Sequence, residues 1–229
     1  MRDRARPWAL TLILVVFVVP ALALPACRRT GQQNTPTGRP ALSEVEGPQL
    51  LFEDDFGDSG SGWLEAADAE SGQGYRDGRF FIELWSADLI VWDNPGVNVQ
   101  DFVLQVEARQ ASGAVDSSYG VLLRYIDDDN FYRFDLTGDS GYAVFKVEHG
   151  EWVTLADWQA SEHVKPQGEV NLIRIVCQGP GMSFHAGDQE LVSVEDDAFE
   201  RGDVGLFAST FAEPGTAVEF DNLRVWEVE

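Results

Sequence analysis

What most constrains this chain is the punctuation of residues 49–229. From Gln49 onward the sequence breaks into short apolar or alternating runs, separated by turn signals such as Asp77-Gly78, His149-Gly150, Ala186-Gly187-Asp188 and Arg201-Gly202-Asp203. Alternation puts successive side chains on opposite faces of an extended chain, and Gly or Asp supplies the geometry of a reversal. Strands are therefore expected at 49–56, 79–85, 88–92, 101–110, 117–126, 130–136, 142–148, 151–157, 169–177, 181–186, 189–194, 203–209 and 215–227. No window carries the 3.6-residue period of a long helix, and only 64–70 and 155–161 admit short helical pieces. About a dozen short strands at regular spacing predict one all-β domain, an antiparallel sandwich or barrel.

The first 48 residues are built differently. Arg2, Arg4 and Arg6 precede an apolar run from Ala9 to Leu24, and Leu24-Pro25-Ala26 leads into Cys27. A cationic start, a short apolar core and a small residue at the cut are the parts of a secretory signal peptide, expected here over 1–26. The cysteine that follows resembles the lipobox thiol, which takes a lipid before cleavage. The expected product is an extracytoplasmic protein, lipid-anchored to a bacterial cell envelope and attached to the membrane through Cys27 alone. Residues 27–48, rich in Thr, Gln, Gly and Pro without hydrophobic periodicity, read as a flexible tether to the domain at 49–229.

Charge narrows the partners. Residues 49–229 hold 10 Lys and Arg against 36 Asp and Glu, a balance of −26. Such a surface repels phosphate backbones and anionic headgroups, which argues against nucleic acid and against membrane contact by the protein surface. Divalent cations, neutral ligands such as sugars, and basic partners remain. With Cys27 acylated, Cys177 has no partner in the chain. Its place beside Ile173 and Ile175 on one strand face predicts a buried, inert thiol.

An ordered series of phrases carries a resemblance across residues 51–227. It runs from Leu51-Phe52-Glu53-Asp54-Asp55-Phe56 and Asp77-Gly78-Arg79-Phe80-Phe81 through Tyr119-Gly120-Val121-Leu122-Leu123-Arg124-Tyr125 and Asp129-Asn130-Phe131-Tyr132-Arg133-Phe134. It closes with Gly205-Leu206-Phe207-Ala208 and Phe220-Asp221-Asn222-Leu223-Arg224-Val225. Read together, these resemble the concanavalin A-like jelly-roll superfamily of laminin-G, lectin and glucanase domains. The resemblance implies an antiparallel jelly-roll β-sandwich. One relative, the 3-keto-glycoside hydrolase-like domain, shares the Gly-Val-Leu-x-Arg strand and the closing Phe-x-Asn-Leu-x-Val. The chain departs from it at Asp116-Ser117-Ser118-Tyr119-Gly120, where that family has Asn-Ser-Gly, and at Ala208-Ser209-Thr210, where it has His-Gly. No catalytic residue is carried over.

Gly138-Asp139-Ser140-Gly141 copies the surroundings of a serine nucleophile, but all three histidines follow it and a second glycine is missing, so it reads as a hairpin turn. The Glu-x-Asp-x-x-Glu strand of retaining glycosidases on this fold is absent, which leaves no carboxylate pair to nominate. Paired first and last strands would bring Asp54 and Asp55 close to Asp221, a candidate set for structural calcium. The alternative is that these acids cap turns. The main candidate is cationic and aromatic: Arg124, Tyr132, Arg133, Asp135 and Trp152 fall on neighbouring strands. Flat rings beside guanidinium and carboxylate groups suit a glycan face. The competing reading has the arginines pairing with acids within the sheet while the aromatics fill the core. Trp85 and Trp92 flank Ser86-Ala87-Asp88 as rim or core residues. The reading reached is a non-catalytic module for glycan or polysaccharide. Its alternatives are a glycoside-processing hydrolase of the 3-keto-glycoside type and a protein-binding adhesion module.

Overall fold

The alternating runs become 15 strands in the computed structural model, which describes residues 48–228. In chain order these begin with β1 (Leu50–Asp54), β2 (Ala66–Ala67), β3 (Ser71–Arg76), β4 (Arg79–Leu84), β5 (Ile90–Asp93) and β6 (Phe102–Gly113). Then follow β7 (Ser118–Asp127), β8 (Asn130–Thr137), β9 (Gly141–Glu148), β10 (Glu151–Ala160) and β11 (Asn171–Gln178). The last four are β12 (Gly181–Ala186), β13 (Gln189–Glu195), β14 (Asp203–Ser209) and β15 (Thr216–Glu227). The signal peptide expected at 1–26, Cys27 and the tether up to residue 47 lie outside the described residues.

The strands form two antiparallel sheets. One has the order β13-β12-β11-β6-β15-β4-β3-β2, with β1 also paired to β15; the other has the order β10-β9-β8-β7-β14-β5. Non-consecutive neighbours such as β7 and β14 are the crossovers of a jelly roll. Between the sheets lies one apolar core, with Phe80, Phe102, Phe220, Tyr119, Phe134 and Phe184 among its buried side chains. Each such ring or Leu contributes about 1.5–3 kcal/mol relative to exposure. Phe134 of the six-stranded sheet stacks on Phe184 of the nine-stranded one, with centroids 4.8 Å apart.

No helix occurs among the described residues. Segment 64–70 contains β2, and 155–160 continues β10, where Gln159 pairs with Tyr142 of β9. Edge pairing overrides the local pattern there. Strand β3 was not anticipated because Gly72 and Gly74 dilute its signal. At Gly72 the Trp85 ring lies close over the backbone: a Cβ there would lie 3.1 Å from it and push the ring aside.

The two sheets differ in how they bury residues. Strands β4, β6 and β11 alternate buried and more exposed positions, as expected for a sheet with one wet face. By contrast, β8 and β14 are buried on almost every residue. Among the described residues no third layer covers them. Their outer face shelters itself with a second small cluster of Leu122, Phe131, Val147 and Phe207, flanked by Ile90, Trp92 and Tyr125.

Candidate functional site

The strand period of two turns Tyr132, Phe134 and Leu136 of β8 into the core and leaves Phe131, Arg133 and Asp135 on the outer face. Arg133 and Asp135 form a fork-to-fork pair: Nε donates to Oδ1 at 2.7 Å and Nη2 to Oδ2 at 2.5 Å. Nη2 also donates to the Ser118 hydroxyl at 2.8 Å. The guanidinium lies 4.0 Å from the Phe207 ring centroid and 5.4 Å from that of Trp152. Arg133 is 4% exposed and Asp135 0%. Burial pushes the Asp135 carboxyl up, while the Arg133 charge and hydrogen bonds pull it down.

A buried ion pair is costly in desolvation and a weak source of stability, so its value here is geometric. It locks the guanidinium plane. Nη1 makes no hydrogen bond among the described residues and is not among the buried unpaired atoms, which leaves it as the donor facing outward.

Above this pair opens a groove of about 360 Å³. Phe145 of β9 and Trp152 and Trp158 of β10 form one side, and Asp88, Leu89 and Phe211 the other. Trp152 is 53% exposed and Trp158 40%. Phe145 meets both tryptophans edge-on, with centroids 6.0 and 5.9 Å away. The opposite wall is tied by Thr210, whose hydroxyl donates to Ser86 O at 2.8 Å, and by Asp88 N donating to Phe211 O at 2.8 Å. A second recess of about 380 Å³ shares Trp158 and Phe211 and adds Asp116, Thr137 and Asp139. The arrangement can stack flat, weakly polar faces and hydrogen-bond the hydroxyls around them.

Of the five residues expected on the ligand face, Arg133, Asp135 and Trp152 come together, and Arg124 and Tyr132 do not. Tyr132 faces the core side, where its hydroxyl donates to Asp196 Oδ1 at 2.6 Å and its ring packs on Phe199. Arg124 is displaced by a bulge. The register of β7 against β8 shifts between Leu123 and Asp127, and Arg124 takes a φ of 48°. This break in alternation sends its side chain to the end of the sandwich, 1% exposed. There Nη1 donates to Phe199 O at 2.9 Å, and Nη2 donates to Gly179 O at 2.7 Å and Gln100 O at 3.2 Å. Lys146 also lies on the core side, bound to Asp196 at 2.9 Å.

Sequence reasoning missed Phe145, Trp158, Phe207 and Phe211. Trp158 had no clean signal, because two register shifts of β10 between Thr154 and Gln159 break the alternation that starts at Trp152. Trp85 covers Gly72, and Trp92 joins the outer cluster. The Gly138-Asp139-Ser140 turn joins β8 to β9 as expected, with Ser140 N donating to Thr137 O. Cys177 is buried, its thiol pushed up to about 12 by burial.

The expected calcium ligands are only partly gathered. Strand β1 does pair with β15, placing Asp54 opposite Leu223. Asp54, however, accepts from Phe56 N at 2.7 Å and from Trp63 Nε1 at 2.9 Å. Asp55 accepts from Gly57 N, and Asp221 lies 3.6 Å from Arg79. No group of three or more His, Cys, Asp or Glu side chains able to hold a metal occurs among the described residues. These acids do not form a fitting calcium set, because each is turned to a turn, an indole or an arginine.

No protein-family model matches the sequence, and no curated protein matches it. Solved structures do. A protein of unknown function with a galectin-like fold from Bacillus subtilis shares 10% identity over 80% of this chain and 97% of its own, with a TM-score of 0.61. The κ-carrageenase of Pseudoalteromonas carrageenovora, solved with an oligotetrasaccharide of κ-carrageenan, shares 10% over 83% and 99%, at 0.58. LamA of Z. galactanivorans, solved with laminaritriose and laminaritetraose, shares 9% over 78% and 99%, at 0.54. At these identities the likeness is one of fold. The described domain is a concanavalin A-like jelly-roll sandwich.

Proposed function

We propose that this protein is a non-catalytic glycan-binding module, held outside the cytoplasmic membrane by a lipid on Cys27. The observation that carries the reading is the outer groove of the six-stranded sheet, where Arg133 Nη1 is held under Trp152 and between aromatic walls. Stacking rings around a fixed donor suit a sugar, which presents apolar C–H faces and hydroxyls together. Saccharide-bound proteins of the same fold, the κ-carrageenase and LamA, support the ligand class. The non-catalytic reading rests on the missing Glu-x-Asp-x-x-Glu strand and on Asp135, the carboxylate nearest the floor of the groove, being engaged on both oxygens by Arg133. Export and anchoring rest on the order of Arg2, Arg4, Arg6, the apolar run and Cys27.

Binding of the purified protein to a broad panel of soluble glycans tests the ligand. Saturable binding to one class, without release of shorter products, is expected. Silence across the panel, or turnover abolished by Asp88→Asn, overturns the reading. For the anchor, Cys27→Ser is expected to abolish incorporation of labelled fatty acid and to release the protein from the membrane fraction.

A further inference from the structure

The two outer faces of the sandwich use their arginines differently, and this deepens the glycan reading, on which the inference rests. Five of the ten basic residues of 49–229 lie on the outer face of the nine-stranded sheet: Arg76, Arg79, Arg109, Arg174 and Arg224. Several are paired there, Arg76 with Glu83 and Arg109 with Glu219, both at 2.5 Å. In the groove, by contrast, Arg133 is the one basic residue lining either recess, against Asp135, Asp88, Asp116 and Asp139. Asp135 already neutralises it. Three carboxylates are left over, Asp88 in the groove and Asp116 and Asp139 in the recess that adjoins it.

The guanidinium is also geometrically spent. An anionic sugar is recognised best by a bidentate fork, with two parallel N–H groups meeting the two oxygens of a carboxylate or sulfate. Here Nε and Nη2 are committed to Asp135 and Ser118. Nη1 alone remains, which suits a single hydroxyl or ring oxygen. Asp139 receives the Thr137 hydroxyl at 2.5 Å on Oδ1, and Oδ2 has no hydrogen bond among the described residues, so it can accept from a sugar hydroxyl. Carboxylates set in a groove with apolar, low-dielectric walls act on a ligand more strongly than the same charges on open surface.

We infer that the groove takes saccharides that carry no negative charge and turns away those bearing uronate or sulfate. Its acids exclude such groups, and its one arginine is too fully occupied to hold them.

The test is an array of neutral, uronate-bearing and sulfated glycans, probed with the full chain at about 20 mM salt, where screening is weak. Every strongly bound glycan is expected to be free of negative charge, with acidic chains of the same backbone bound at least about tenfold more weakly. The double substitution Asp116→Asn/Asp139→Asn is expected to bring acidic chains severalfold closer to neutral ones. A uronate or sulfated glycan bound as tightly as the best neutral one, and lost with Trp152→Ala/Trp158→Ala, overturns the inference while leaving the glycan reading standing. Silence over the whole array overturns both.

Discussion

Two arginines of adjacent strands, Arg124 on β7 and Arg133 on β8, are almost equally buried and do opposite things. Arg124 points to the end of the sandwich and spends its two terminal nitrogens on backbone carbonyls of three separate segments, at Gln100, Gly179 and Phe199. It closes loops together. Arg133 is gripped from the side by Asp135 and Ser118 and stacked under rings, leaving Nη1 directed outward. Burial alone therefore does not distinguish a structural arginine from a ligand-facing one. What distinguishes them is where the leftover donor lies: Arg124 Nε is buried without a partner, while Arg133 Nη1 opens on the groove.

The largest expected effect breaks the Arg133 side of this contrast. Arg133→Ala leaves the Asp135 carboxylate buried without its partner and should cost about 3–5 kcal/mol in chemical unfolding. The double variant Arg133→Met/Asp135→Leu removes both charges, so most of that stability should return while glycan binding does not. Recovery of binding along with stability would move the site elsewhere.

Arg124→Met comes next. Three carbonyls lose a charged donor, and a loss of about 3 kcal/mol is expected, with the glycan affinity of the surviving folded protein unchanged. A fall in affinity at constant fold would place Arg124 back among the ligand contacts.

A smaller effect sharpens the polar cluster beside Arg124. Burial pushes the Asp196 carboxyl up, but the Tyr132 hydroxyl, the Lys146 ammonium and Ala198 N–H outweigh it and hold it below its ordinary value of 3.8. A depressed folded value means the stabilisation is present above the unfolded value and is lost as pH falls through the folded one. Asp196→Asn should thus cost about 1–3 kcal/mol near neutral pH, with the gap to the unsubstituted protein narrowing as pH falls below 3.8 and through the lowered folded value. An equal gap at both ends of the titration would contradict the assignment. Smallest of all, because Asp54 and Asp221 are turned to Trp63 and Arg79, millimolar calcium is expected to move the melting temperature by less than about 1 °C. A dose-dependent rise would restore a calcium site at the paired termini.

Much of the fold could be read from period-two alternation because one face of most strands is buried and the other wet, as in β4, β6 and β11. The same rule correctly put Arg133 and Asp135 on one face with Phe131. It failed for Arg124, where a bulge at positive φ breaks the period, and no local residue pattern announces a bulge held by Gly202 packing on the Arg124 backbone. It also failed for the groove's far wall. Phe211 and Asp88 are far apart in sequence and meet only because β14 pairs with β5 and Thr210 ties the intervening loop. Long-range pairing of this kind is a property of the closed topology, not of any window.

The measurement that tests the central claim most directly is a calorimetric titration of one panel-selected glycan into the unsubstituted protein and into Trp152→Ala/Trp158→Ala, with melting curves on both. Both tryptophans stand largely exposed over the groove, so removing them should leave the melting temperature within a few degrees and weaken binding by roughly 10- to 100-fold. Undiminished affinity in the double variant would show that the groove over Arg133 is not where the ligand sits.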